Sequence, residues 1–356
     1  MNLKPNDLGF AMPAEWTPHA SVWTAYPADN DEWLGHLEAV RAEFAAFITT
    51  LSSFELVNLI VRDQETENDA RARITSQNVM FHRFAHNDVW LRDCAPIFVT
   101  RGNEVAPIDW EFNGWGLKFD AALDNQIPDF VASFLETRAF KTGIVMEGGS
   151  LEVNGAGVAL TTRQCLHSKF RNPNLSETDL EHALQDYLGI KKVLWLENGL
   201  EGDHTDGHID TITRFVSENT IITCVCEDQS DPNFQTMQDN LEKLKSFTNL
   251  AEEPFTILEL PLPKNRLEHT GDIASAQGLL GKRLPPTYAN FYIANGAVIV
   301  PTYGDPNDAI ALEILTPLFP DRAVIGLSSR AIINGGGSFH CVTQQQPVGE
   351  VWKPKS

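Results

Sequence analysis

A run of glycines near the end of the chain precedes a cysteine, and thiol chemistry is the first chemistry that it suggests. Residues 335–337 are three successive glycines, and Cys341 follows them. Glycines let a ligand approach the main chain and leave backbone N–H groups free to donate. Such donors, or a nearby imidazole, help to form the thiolate that acts as a nucleophile. Taken alone, the stretch is more typical of a tight turn followed by a buried structural cysteine.

Other loops contain the groups that a reactive thiol would need. One cysteine, one histidine and several carboxylates are the parts of a thiol enzyme that binds a cation. A positive charge beside sulfur also lowers the pKa of the thiol. Alone, the acidic residue that follows Arg92 would equally fit a structural ion pair with it. These groups lie beside glycine, proline or an Asn-Gly turn: Trp90, Asp93, Glu147, His208, Asp210 and Asn290.

The composition restricts the partners of the chain. Its 356 residues include 27 Lys and Arg against 48 Asp and Glu, a formal net charge of −21. This balance disfavours nucleic acid, whose phosphates need cationic contacts, and is compatible with a cationic substrate. The five cysteines include no CxxC pair, so neither a disulfide framework nor a zinc ribbon is expected. Because neither a signal-peptide pattern nor a membrane-spanning apolar stretch is found, we expect a cytoplasmic protein that does not enter a membrane.

Strand and helix patterns alternate along the whole chain. Apolar periodicity predicts helices over residues 32–51, 128–137, 176–188, 233–247 and 306–318. Asp31 is expected to cap the first helix, and Ser176 with Asp179 to form a capping box. Asn295-Gly296 is expected to form a type I′ hairpin. Strand patterns cover residues 56–61, 79–84, 157–161, 192–196, 211–216, 221–225, 255–260, 288–294, 297–301 and 323–327.

These elements repeat in a regular order. Units of two strands, a helix and a strand recur about five times, with no linker between them. The repetition predicts one domain over residues 1–356 with a closed, pseudo-symmetric α/β fold. The polar, glycine-rich loops of such a fold would meet at one end.

Four motifs occur along the chain in a fixed order. They are Asn87-Asp88-x-Trp90-x-Arg92-Asp93, Glu147-Gly148-Gly149, Asp206-Gly207-His208-x-Asp210 and Gly335-Gly336-Gly337-x-x-His340-Cys341. With them the chain resembles the agmatine deiminase family, the Porphyromonas-type peptidylarginine deiminase group of the guanidine-modifying superfamily. The resemblance extends over residues 13–347 and so covers nearly the whole sequence.

The resemblance implies a five-bladed α/β propeller, the pentein fold, and a role for each residue. Cys341 would attack the guanidinium carbon, and Asp93 with Asp210 would bind the guanidinium nitrogens. His208 would protonate the departing ammonia and then activate water, with Glu147 orienting it or stabilising its charge. A covalent thiouronium intermediate would give a ureido product and ammonia. Neither a metal nor an organic cofactor is implied.

The resemblance also implies a small cationic guanidinium substrate. Agmatine, converted to N-carbamoylputrescine, is the first choice, and peptidyl-arginine, arginine or methylated arginine are the alternatives. Trp90 and Trp115 could be core residues, but we expect one of them to line the channel for an aliphatic tail, and Asn290 to contact the substrate. His204 stands where relatives have an acidic residue for the far amine of agmatine. We expect His340 to be structural, because it projects to the strand face opposite Cys341.

Two other functions remain open from the residues alone. His204, His208 and Asp210 are metal-ligating types at a spacing that would suit a metallohydrolase, although this would leave Cys341 without a role. A non-catalytic propeller that binds guanidinium compounds or a protein partner is the other alternative. The sequence does not decide whether the chain forms a homo-oligomer.

Overall fold

Seventeen short strands in five separate sheets run through the computed structural model, which describes residues 3–354. The strands are β1 His19–Ala25, β2 Val57–Val61, β3 Val79–Arg83, β4 Ile97–Arg101, β5 Glu104–Glu111, β6 Phe140–Val145, β7 Glu152–Val153, β8 Val158–Thr162, β9 Lys192–Leu196, β10 Thr213–Ser217, β11 Thr220–Val225, β12 Thr256–Pro261, β13 Tyr292–Ile293, β14 Ala297–Thr302, β15 Ala323–Ser328, β16 Thr343–Pro347 and β17 Glu350–Val351. The predicted α/β class is confirmed.

Helices connect the strands within and between the sheets. They are α1 Leu37–Leu51, α2 Gln64–Arg73, α3 Leu91–Cys94, α4 Gly114–Leu117, α5 Ile127–Phe134, α6 Arg163–Leu166, α7 Glu177–Leu188, α8 Asn233–Lys245, α9 Asp272–Ala276 and α10 Asn307–Leu315. No helix within residues 3–354 combines the length and the apolar character needed to cross a bilayer.

One structural unit is repeated in all five sheets. Its first two strands pair antiparallel, a helix follows the second strand, and the strand after the helix pairs parallel with the second. In the copy that contains β1, the opening strand comes from the other end of the chain, because β16 pairs antiparallel with β1. The five copies are β16-β1-α1-β2, β4-β5-α5-β6, β7-β8-α7-β9, β10-β11-α8-β12 and β13-β14-α10-β15.

Each unit leads to the next through a link, and every link contains a predicted site residue. The link from β2 to β4 includes α2, β3 and α3, the link from β12 to β13 includes α9, and each of the other three contains a single turn of 3₁₀ helix. The repeat therefore supplies one chemical group from each of its copies. In chain order these groups are Asp93, Glu147, His208 with Asp210, Asn290 and Cys341.

The first predicted helix begins later than expected. Leu34 and Gly35 have φ values of 51° and 86°, so the backbone is left-handed where the pattern predicted helix. Helix α1 therefore starts at Leu37, and Asp31 lies outside it. The apolar side chain of Trp33 is buried from this turn and not from the helix.

The predicted type I′ hairpin is wrong, although β13 and β14 do pair across residues 295 and 296. A type I′ turn needs positive φ at both central residues, and neither Asn295 nor Gly296 has it. Tertiary hydrogen bonds select another turn. The Asn295 side chain accepts from the His19 N–H at 2.8 Å and donates to the His19 carbonyl at 2.9 Å, and the Asn295 N–H donates to Glu55 at 3.0 Å.

Candidate active site

The links between the repeated units meet at one buried place, where their residues contact one another. The Asp93 carboxylate accepts from the Gly149 N–H at 3.0 Å and lies 3.6 Å from the His208 ring. Cys341 Sγ lies 3.5 Å from Asp210 Oδ2. Residues separated by up to about 250 positions are therefore neighbours, as the repeated units predicted.

The candidate nucleophile is a buried, protonated thiol. Cys341 is 4% exposed, and the Asn290 amide donates to Sγ at 3.0 Å. Burial raises the pKa of Cys341 well above its usual range, and the charges of Asp210 and Asp93 raise it further. A bound cation would neutralise those charges and make the thiolate accessible near neutral pH.

Asn290 fixes the loop that carries the nucleophile. Its carbonyl oxygen accepts from the Ser338 N–H at 3.0 Å and from the Cys341 N–H at 3.3 Å. Since the amide nitrogen meets Sγ, both ends of the side chain are engaged within the protein. A direct contact between Asn290 and substrate stays a prediction.

Asp93 is a buried carboxylate held by two donors. The Trp115 indole N–H donates to Asp93 Oδ2 at 2.9 Å, and the Gly149 N–H donates to Oδ1. Burial raises the pKa of Asp93 to about 6, with the opposing charge of His208 only partly offsetting the effect. The carboxylate is ionised at neutral pH and lacks a directly hydrogen-bonded cation, so it is suited to receive one.

Asp210 lies beside the thiol and has one carboxylate oxygen without a hydrogen-bond partner. Oδ2 accepts from the His340 ring at 2.6 Å, whereas the buried Oδ1 has no hydrogen-bond partner. Burial opposes ionisation, but the hydrogen bond and charge of His340 outweigh it and hold the pKa of Asp210 below its usual range. His340, which we expected to be structural, therefore contacts a predicted catalytic carboxylate.

Arg92 does not form the structural ion pair with Asp93 that the sequence left open. Its Nε donates to the His340 carbonyl at 3.3 Å, and Nη2 lies 3.8 Å from Glu15. The Asp93 carboxylate is therefore not paired with Arg92 and can accept hydrogen bonds from a cationic substrate.

His208 is poised to donate a proton. The ring is fully buried, and neither of its nitrogens has a hydrogen-bond partner. Burial lowers its pKa, but the carboxylates of Asp93 and Glu147 and the nearby Cys165 more than reverse this and raise the pKa well above its usual range. The ring is therefore an imidazolium at neutral pH.

Glu147 acts on His208 through its charge, and no hydrogen bond joins the two side chains. Its carboxylate accepts from Arg171 Nε at 2.9 Å and lies 3.8 Å from Cys165 Sγ. Glu147, Cys165 and His208 have ligand atoms within 4.8 Å of one another. Electrostatic support of the imidazolium by Glu147 is compatible with this geometry, and its catalytic role stays a prediction.

Arg171 and Cys165 are functional neighbours that sequence reasoning missed. Arg171 joins Glu147 to the histidine loop, since its two terminal nitrogens donate at 2.6 Å to Asp206 and to the Thr205 carbonyl. Neither residue belongs to a glycine-rich motif, and no local pattern marks them. Only the packing of α6 and the segment after it against the links brings them to the site.

The glycine run accommodates aromatic rings. A Cβ added at Gly335 or Gly337 would lie 2.5 Å or 2.7 Å from the Trp90 ring, and one added at Gly336 would lie 1.9 Å from His204 Cε1. We expected this backbone to be open to a ligand. The rings of Trp90 and His204 instead cover it.

Trp115 lies in a left-handed turn. All residues of α4, Gly114–Leu117, have positive φ, with 55° at Trp115 and 66° at Leu117. Left-handed backbone costs about 1–2 kcal/mol at each non-glycine residue, so tertiary contacts must hold the turn. The Trp115–Asp93 hydrogen bond and the 2.6 Å ion pair between Lys118 and Asp206 are two such contacts.

Replacing Trp115 with phenylalanine is expected to weaken substrate binding through Asp93. The ring remains, but the donor to the carboxylate is lost, so the KM for a guanidinium substrate should rise about 10-fold. Trp110→Phe is the matched control, because the buried Trp110 indole N–H has no hydrogen-bond partner. Equal KM values for the two variants in steady-state assays would contradict the expectation.

The alternative metal site is not assembled. Two groups of three ligand types come within 4.8 Å in residues 3–354, Glu147 with Cys165 and His208, and Glu15 with Glu152 and His340. His204 belongs to neither group. A guanidinium contacts the carboxylates of each group, Arg171 in the first and Arg214 in the second.

Comparison with known proteins defines first the fold and then the family. An amidinotransferase of Microseira wollei has the same fold, with a TM-score of 0.51 and 13% identity over 98% of this chain and 99% of that one. The chain belongs to the Porphyromonas-type peptidyl-arginine deiminase family, whose model matches residues 11–347. The family resemblance inferred from the four motifs is therefore confirmed.

Individual relatives match over their whole length. The agmatine deiminase of Ectopseudomonas mendocina is 36% identical over 359 residues, which cover 97% of both chains. The structure of the agmatine deiminase of Enterococcus faecalis has a TM-score of 0.93 and 33% identity over 98% of both chains.

Proposed function

We propose that this protein is a hydrolase that deiminates a guanidinium compound through a covalent cysteine intermediate. Agmatine and water, giving N-carbamoylputrescine and ammonia, are the first choice of reaction. One observation carries the proposal: a buried thiol lies beside two buried carboxylates, Asp93, which has no hydrogen-bonded cation, and Asp210, whose Oδ1 has no hydrogen-bond partner. The full-length similarity to proteins named agmatine deiminase supports the choice of substrate.

Binding follows from the two carboxylates. A guanidinium is a planar fork of N–H donors, and opposed carboxylates hold such a fork in one orientation. The free Oδ1 of Asp210 and the carboxylate of Asp93 would accept these donors, which would place the central carbon next to Cys341 Sγ. The cation would also lower the pKa of the thiol, whose proton would leave to solvent.

The reaction then needs one residue that acts first as an acid and afterwards as a base, and His208 fills both roles. The thiolate of Cys341 adds to the guanidinium carbon, and the His208 imidazolium protonates the nitrogen that departs as ammonia, which leaves a thiouronium. The neutral His208 next takes a proton from water as hydroxide adds to the same carbon. The carbon–sulfur bond breaks and releases the thiolate, and the added hydroxyl loses its proton to solvent, or to the ammonia as it leaves, which gives the neutral ureido product.

The same proposal includes the finer points of the fold. We propose that the five units form a closed five-bladed propeller and act as one catalytic domain over residues 1–356. The pairing of β16 with β1 and the meeting of the links at one site support this arrangement. The five free cysteines support a location in the reducing cytoplasm.

The surroundings of His204 are poorly suited to the terminal amine of agmatine. The His204 ring packs 6.1 Å from Trp115, and burial lowers the pKa of His204. Asp206, one of its acidic neighbours, is already paired with Lys118 and Arg171. The other, Asp203, accepts hydrogen bonds from its own loop. This observation favours a second candidate, a guanidine whose tail ends without a cation.

Ammonia release from several guanidines tests both candidates. We expect the wild-type protein to release ammonia from agmatine with the highest kcat/KM, measured beside arginine, a peptidyl-arginine, methylated arginine and 4-guanidinobutyrate. A higher kcat/KM for 4-guanidinobutyrate would move the specificity to neutral or anionic tails. Absence of ammonia and of a thiol adduct with every compound would contradict the function and favour a binding protein.

A further inference from the structure

The His340 ring lies between two carboxylates behind the site. Nδ1 is 2.6 Å from Asp210 Oδ2, and Nε2 is 2.7 Å from Glu15 Oε2. All three side chains are almost fully buried. Ionised carboxylates only accept hydrogen bonds, so both ring nitrogens must donate. The geometry therefore requires the doubly protonated, positively charged ring when both acids are ionised.

Glu15 is an anchor and not a mobile partner. Its Oε2 also accepts from Arg214 Nη2 at 2.8 Å, and its Oε1 accepts from the Ile293 N–H at 2.8 Å. Arg214 in turn donates to Glu152 at 2.9 Å and to two backbone carbonyls. The imidazole is thus held from the side opposite the substrate by a buried, hydrogen-bonded network.

The charges of this network cancel only if His340 carries its second proton. Buried charges are tolerated when they are paired and hydrogen-bonded, and three acids here face two guanidiniums and one imidazole. A neutral imidazole would leave one negative charge uncompensated. The acids are Glu15, Glu152 and Asp210, and the bases are Arg92, Arg214 and His340.

We propose that His340, anchored by Glu15, is a positioning residue for the deiminase reaction. It keeps Asp210 ionised and turns that carboxylate so that Oδ1 faces the guanidinium. It also places a positive charge behind the carboxylate that lies 3.5 Å from the nucleophilic sulfur. The inference rests on the proposed function, because it assigns Asp210 to guanidinium binding.

Two substitutions of His340 separate positioning from packing. Asparagine places its amide nitrogen close to the position of Nδ1 and keeps the donor to Asp210, whereas alanine removes it. We expect His340→Ala to raise the KM for the guanidine about 10- to 100-fold, the range for a lost hydrogen bond to a charged group. His340→Asn should recover most of that loss. Equal KM values for the two variants would overturn the proposal.

Glu15→Gln tests the charge at the anchor. The substitution keeps the side chain's shape but replaces the anionic partner of His340 Nε2 with a neutral amide, which weakens the cationic support of Asp210. The acidic limb of the kcat/KM profile should move to higher pH. Glu55→Gln is the matched control: this buried glutamate contacts His19 at 3.2 Å and is not in contact with Asp210. A profile that moves equally in both variants, or in neither, would overturn the proposal.

Alkylation of Cys341 keeps this test independent of turnover. The rate of modification by iodoacetamide, followed by peptide mass mapping against pH, reports how easily the thiol ionises. We expect the profile of Glu15→Gln to lie at higher pH than those of the wild type and Glu55→Gln. An unshifted profile would overturn the positioning role even if ammonia release is normal. Conversely, a shifted profile with no ammonia from any guanidine would contradict the proposed function alone.

Discussion

Cys341→Ser is expected to release ammonia from the preferred guanidine at least about 10³-fold more slowly than the wild type, the order of loss seen when a catalytic nucleophile is removed. Serine lacks a proton acidic enough to leave beside Asp93 and Asp210, so the cation cannot convert it to a nucleophile. Ammonia assays measure the rate. Intact mass spectra of acid-quenched reactions should show a thiouronium adduct only when residue 341 is cysteine.

Cys226→Ser is the matched control for this experiment. Cys226 is also a buried free thiol, but it lies after β11 and contacts its own loop at Asp228. Its variant should keep the wild-type rate. If ammonia release survives in Cys341→Ser, the thiol assignment is wrong, and chelator sensitivity with elemental analysis becomes the next measurement.

The sequence predicted the site more fully than it predicted the local structure. Asp93, Asp210, His208 and Cys341 were identified because each lies near glycine or proline, and such turn residues mark loops whatever the fold. Their convergence followed from the repeat, since equivalent links of repeated units occupy equivalent places. No secondary-structure boundary had to be correct for that inference to hold.

The supporting residues could not be predicted, because their role depends on tertiary contacts alone. Arg171 and Glu15 lie outside every motif that carries a chemical residue, yet each binds a carboxylate or an imidazole in the site. The left-handed backbone at Trp115 could not be predicted either. A tryptophan between two glycines gives no reason to expect positive φ, and only the contacts around it compensate the strain.

Local patterns failed where side-chain hydrogen bonds decide the backbone. Helix α2 has no apolar stripe and was not predicted, but Asp63 and Thr66 form a capping box at its start. The capping box of Ser176 and Asp179 was predicted and is confirmed, because there an apolar face accompanies it. Capping residues thus indicate a helix even when periodicity is weak.

The second large effect is expected from Asp93→Asn, which should raise KM by about 100-fold or more by removing one of two carboxylates for the guanidinium. Because the pKa of Asp93 is raised to about 6, the wild-type kcat/KM should fall as the pH drops below about 6. Ionisation of Asp93 should no longer contribute to that limb in the variant. Steady-state rates between acidic and neutral pH measure both effects.

Asp93→Asn should weaken substrate binding, but its effect on the stability of the protein should become more favourable as the pH rises. Asp93 binds its proton more tightly in the folded state, so its contribution to stability is full below the unfolded pKa and is lost as the pH rises through about 6. The total loss is about 3 kcal/mol for a shift of this size. Above that pH the wild type therefore has an uncompensated buried charge that the variant lacks.

Denaturant unfolding of both proteins at pH 4 and pH 8 measures this difference. The Asn side chain cannot accept from both Trp115 and Gly149, so a constant penalty of about 1–3 kcal/mol applies at every pH. The stability of the variant relative to the wild type should nevertheless improve by about 2.5 kcal/mol from pH 4 to pH 8. A pH-independent difference would mean that Asp93 is already neutralised without substrate. An ionised Asp93 would then not be the source of the site's affinity for a cation, and the proposed binding mode would be wrong.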